Sequence, residues 1–119
     1  SSILDRSSVQ EAKVEMEKAT YQREAIINDL RQLIIIQYNN IVKAHRGIVV
    51  QNNTVELFRV QMLLAEKELQ NGQIPVTEFA RLNDMLSKAV LGLEDRKVEY
   101  ITAIQLLQET VGVDIKLEN

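Results

Sequence analysis

The chain has 119 residues, a net charge of −3, 4% aromatics, a single proline and no cysteine. That balance excludes a disulfide framework, a thiolate metal centre and the basic stripe that nucleic acid or an anionic lipid surface requires. What remains is one domain at most, rich in Ala, Leu, Ile, Glu, Gln and Lys, with a thin aliphatic seam in place of an aromatic core.

Ser1 to Arg6 reads as a short lead-in, and a start at Ser rather than Met is expected of a processed or excised segment. Ser8 followed three residues later by Glu11 forms a capping box, which predicts a helix beginning near Ser8 or Val9. From there to Asn71 only Gly47 weakens the helix, at an interior cost of about 1 kcal/mol. The first helix is therefore expected over about 8–71. Ile27, Ile34, Ile41, Ile48, Val55, Met62 and Leu69 recur every seven residues. Leu30, Ala44, Phe58 and Ala65 complete a 3–4 pattern that Gln37 and Gln51 interrupt, as in a coiled-coil seam. A second stripe, Ile35, Val42, Val49 and Leu63, runs beside it, with Glu56 as its exception. Two adjacent stripes imply more than one neighbour.

The one clear stop lies at Gly72, which suits the left-handed residue past a helix end. Pro75 suits the first position of a new helix, and Glu78 falls in that helix's first turn, where a carboxylate favours the dipole. A tip over 72–75 and a second helix over about 75–111 follow, ending at Gly112 as a second left-handed cap. Phe79, Leu82, Leu86, Ala89, Leu93, Tyr100, Ala103 and Leu107 carry its seam, with Arg96 the polar intruder. Val90, Ile104 and Val111 form its side stripe, broken by Lys97. The fold class is thus all-α: a long antiparallel helical hairpin with a first helix much longer than the second. A second helix ending near Val111 pairs with the first only down to about Leu33. The apolar stripe through Val9, Ala12, Met16, Ala19, Ile26 and Leu30 is left to meet another chain or a further part of a longer parent protein, and a lone hairpin of this shape is expected to oligomerise.

No catalytic, cofactor-binding or metal-binding residues are legible. His45 is the only histidine, which denies a histidine metal site or a triad its partners and leaves a solvated helix residue. Glu11, Glu15, Glu17, Glu94 and Asp95 lie among Lys and Arg at helical spacing, the pattern of a solvated face rather than of paired catalytic carboxylates. The glycines are isolated, so no phosphate-cradling loop exists. The longest apolar run, Leu33 to Ile36, is too short to span a bilayer, and no signal-peptide pattern is visible.

The run Gly72-Gln73-Ile74-Pro75-Val76-Thr77-Glu78-Phe79 resembles the periplasmic hairpin tip of TolC-like outer-membrane efflux channels. There a Gly turn is followed by apolar residues, then often Thr or Ser with an acid, then another apolar residue. Tyr100, Ala103 and Leu107 with Val111-Gly112 are similar to the end of that family's returning helix, and Ile3-Leu4-Asp5 with Glu11-Ala12-Lys13 to the point where a membrane strand hands over to the long helix. The residues from Tyr38 to Ala44 also fit. Asn71, Gln73 and Pro75 depart from the family's tip, Glu78 stands where Asp is common, and Arg81 lies where some members place a second acid, which implies a less negative tip.

The resemblance implies the periplasmic portion of a homotrimeric channel in a Gram-negative outer membrane. Each protomer there contributes two such repeats, and β-strands outside this chain cross the membrane. It implies a tip of Gly72, Gln73, Ile74, Pro75, Thr77 and Glu78 that meets a periplasmic adaptor protein and, through it, an inner-membrane transporter. The alternative is the α-helical hairpin of the adaptor (membrane fusion) protein itself. Its tip carries Arg, Leu and Ser at offsets occupied here by Leu64, Glu68 and Pro75. A generic structural coiled coil explains the heptads but not the tip.

Overall fold

The computed structural model describes the backbone of residues 2–118 and the side chains of residues 5–116. It is all-α, as the periodicity requires. Helix α1 runs over Ser2–Gln70 and helix α2 over Val76–Glu118, with no strand among the described residues. The 69 residues of α1 against the 43 of α2 keep the expected inequality of length.

Both outer helix ends differ from the sequence expectation. α1 begins at Ser2 instead of near Ser8, so Ser8 and Glu11 lie inside the helix and cap nothing. Nothing in Ile3-Leu4-Asp5-Arg6 breaks a helix, and Asp5 places a carboxylate in the first turn where the dipole favours it. At the other end α2 continues through Gly112 to Glu118, and among the described residues Gly72 is the only one with positive φ. An interior glycine costs about 1 kcal/mol, which the helix-compatible residues after it and the absence of a following proline allow. Pro75 also shifts by one place. It precedes α2, and its carbonyl accepts the amides of Glu78 (3.1 Å) and Phe79 (3.3 Å), the role of an N-cap residue.

The residues fall into two compact units, Gln37–Leu106 and the remainder. In the first, α1 turns at the tip and α2 returns antiparallel to it. Its buried apolar residues are Val55, Met62 and Ala65 from α1 and Ala89 from α2, all on the two heptad seams. Phe58, Leu82, Leu86 and Leu93 are half-buried beside them. Seam alanines let two helices approach closely, and Val55, at 1% exposure, is the centre of this thin core. The second stripe stays open, with Val49 and Leu63 exposed. His45 is exposed, with its ring 5.8 Å from that of Tyr100, a packing contact.

In the other unit the half-buried positions are Ile27, Leu30 and Ile34 of α1 with Leu107, Val111 and Asp114 of α2, and Thr110 is buried. Ile27 and Leu30, which a second helix ending near Val111 would leave bare, are thus half-buried. Val9, Val14, Met16, Tyr21 and Ile26 remain exposed. Charged side chains pair along single helices, as in Lys18–Glu15 at 3.7 Å and Lys88–Asp84 at 2.8 Å. Such exposed pairs are screened by solvent and add little to stability.

Candidate functional site

The tip between α1 and α2 is the one place where the paired helices end and side chains project from a turn. Its geometry follows from the left-handed conformation of Gly72, φ 69°. With the chain reversed there, the Gln73 amide reaches back to the Glu68 carbonyl at 2.8 Å and the Gly72 amide to the Leu69 carbonyl at 3.1 Å. This pair of bonds is the Schellman motif, and it satisfies carbonyls that the end of α1 would otherwise orphan. The Asn71 amide keeps a helical bond to Lys67 at 3.0 Å. The turn is therefore closed by its own backbone.

All six tip residues named from the sequence lie on this turn and the first turn of α2. Gly72, Gln73, Pro75 and Thr77 are exposed, whereas Ile74 and Glu78 are half-buried. Val76 is 69% exposed and adds an apolar side chain to the same end. Because the Asn71, Gly72 and Gln73 amides are consumed inside the turn, a partner would read side chains here more than backbone.

Glu78 is not a free acid. Arg81, one helical turn on, grips it in a fork, Nε to Oε2 at 3.0 Å and Nη2 to Oε1 at 2.6 Å. These hydrogen bonds, helped by the guanidinium charge and opposed by slight desolvation, hold the Glu78 carboxyl below the usual glutamate value and push Arg81 upward. The remaining nitrogen of Arg81 lies 3.2 Å from the Met85 sulfur. Beside this pair an open groove of about 400 Å³ runs between the helices, lined by Phe58, Ala65, Leu82 and Met85 with Glu68 and Arg81 at its polar edge. The sequence pattern places Phe58, Ala65 and Leu82 on the seams. It does not show that Arg81 neutralises Glu78, though their three-residue spacing was the available signal.

No protein-family model, curated protein or solved structure matches the chain. Among the described residues no cluster of His, Cys, Asp or Glu could hold a metal ion, and no helix is long and apolar enough to cross a membrane. The tip thus exposes Gln73, Pro75, Val76 and Thr77, and its acid, Glu78, is paired with Arg81.

Proposed function

We propose that the chain is a periplasmic tunnel segment of a TolC-like outer-membrane efflux channel, with its tip docking a periplasmic adaptor. The observation that carries this reading is the tip itself, where a self-closed Schellman turn presents Gln73, Pro75, Val76 and Thr77 beyond a pair of helices whose seam is already occupied. The resemblance of Gly72 to Phe79 to that family's tip supplies the identity of the partner. The open second stripe of α1, with Ile35, Val49 and Leu63 exposed, supports a helix that has further helical neighbours. On this reading three copies of the full-length protein close the tunnel, strands outside this chain hold it in the outer membrane, and the adaptor links it to an inner-membrane transporter. The chain then works by shape and has no chemistry of its own. A tip contact is small in area, so single changes there weaken docking without unfolding the helices.

The test places Gly72→Val or Thr77→Lys in the full-length protein and measures drug efflux beside channel abundance in the outer membrane. Reduced efflux at unchanged abundance is expected. Normal efflux in both variants, with the protein correctly inserted, overturns the docking role.

A further inference from the structure

The seam of the hairpin unit is interrupted on α1 by Gln51 and on α2 by Arg96, and each faces a glycine of the other helix. The Gln51 amide nitrogen donates to the Ala89 carbonyl at 2.9 Å, a bond from one helix to the backbone of the other. It reaches that carbonyl because Gly92 has no side chain. A Cβ at Gly92 would lie 2.9 Å from Gln51 Nε2 and 3.4 Å from its Cδ, so the end of the Gln51 side chain would have to swing away from its position on the Ala89 carbonyl. On the other side the stem of Arg96 crosses Gly47, where a Cβ would meet Arg96 Cδ at an ordinary 3.5 Å. The head of Arg96 is drawn outward to Glu99 at 3.2 Å. So the Gly92 notch is tight and the Gly47 notch has room.

We propose that Gln51 and Gly92 form a register pin, a conformational device that selects one alignment of α2 against α1. A heptad seam alone does not select it, because sliding by seven residues sets apolar positions against apolar positions again. Moving the turn by about one helical turn produces such a slide, so the Gly72 cap opposes it only at the tip. The pin opposes it farther along. Displaced by one heptad, Gln51 meets Met85 or Glu99 in place of Gly92. Both carry a side chain where the notch should be, and the half-buried amide loses its acceptor. A single polar seam residue fixing register at some expense of stability is a known use of such groups. Gln37 shows the contrast. It is the more deeply buried of the two, and its Oε1 has no hydrogen-bond partner among the described residues.

The test uses the full 119-residue chain, which has no cysteine of its own, with spin labels on Asn40→Cys and Ser87→Cys, both exposed. A heptad slide displaces one label along the helix by about 10 Å. One narrow distance is expected for the otherwise unaltered chain and for Gly47→Ala. Gln51→Leu and Gly92→Ala are each expected to add a second distance while far-UV circular dichroism stays helical. For Gln51→Leu the denaturation midpoint should hold or rise, which separates loss of register from loss of stability. A single unchanged distance in Gln51→Leu or in Gly92→Ala overturns the pin, as does a second distance in the unaltered chain. Should Gly92→Ala lose its helicity, Gln51→Leu alone decides.

Discussion

Substitution at Gly72 isolates a backbone effect, because a Cβ there meets nothing within 4 Å. Any loss of stability must then come from φ 69° and not from a clash. An L-residue in this left-handed conformation costs about 1–2 kcal/mol, Asn costs less than Ala, and a β-branched Val is at the upper end. A D-alanine at the same position prefers positive φ and removes freedom from the unfolded chain, so it should stabilise by roughly 0.4–1 kcal/mol. The assay is urea denaturation of the chain with Asn, Ala, Val and, by semisynthesis, D-Ala at position 72, reading midpoint shifts at constant slope. The expected order of stability is D-Ala, Gly, Asn, Ala, Val. Equal stability of the L-Ala and D-Ala chains would refute the reasoning, since they differ only in the handedness that the Schellman turn selects.

Met62 is buried in the seam and Leu63 beside it is 62% exposed, so Met62→Ala should cost about 2 kcal/mol or more, and Leu63→Ala within about 0.5 kcal/mol, by the same denaturation assay. The Glu78 carboxyl should titrate below the ordinary glutamate value by NMR and move back up in Arg81→Ala. Because its folded value lies below its unfolded one, whatever stability this pair contributes is complete above the unfolded value and is lost as pH falls through the folded one. The exposed stripe of Val9, Met16 and Ile26 should make the isolated chain associate, so sedimentation equilibrium at micromolar concentration should report a species larger than a monomer, and Met16→Lys with Ile26→Lys should shift it toward monomer.

The helical hairpin was legible because a seven-residue repeat and a Gly-Pro pair act over many residues at once. Val55, Met62, Ala65 and Ala89, which the repeat puts on the seams, are the buried apolar side chains among the described residues. The outer helix ends were not legible, because a capping box or a lone glycine is a weak local signal. Ser8 with Glu11 is as compatible with a helix interior as with its start, and Gly112 is held helical by its neighbours on both sides. Gln51 and Arg96 read as defects in their own helices. Only the antiparallel pairing sets them against Gly92 and Gly47, and no pattern within one helix reports what faces it. At the tip, Gly72 followed by Pro75 points to the left-handed turn, whereas the fork between Arg81 and Glu78 depends on side-chain geometry that spacing permits but does not dictate.

Docking of a periplasmic adaptor by the tip, as proposed above, can be read in cells by site-specific photo-crosslinking. A photoreactive residue is placed at Gln73 or Thr77 of the full-length protein and, for comparison, at Asn40 on the exposed side of α1. Adducts from both tip positions to one periplasmic adaptor, identified by mass spectrometry, with none from Asn40, is the predicted result. Absence of any adaptor adduct from the tip, in a channel that reaches the outer membrane and exports, would contradict it.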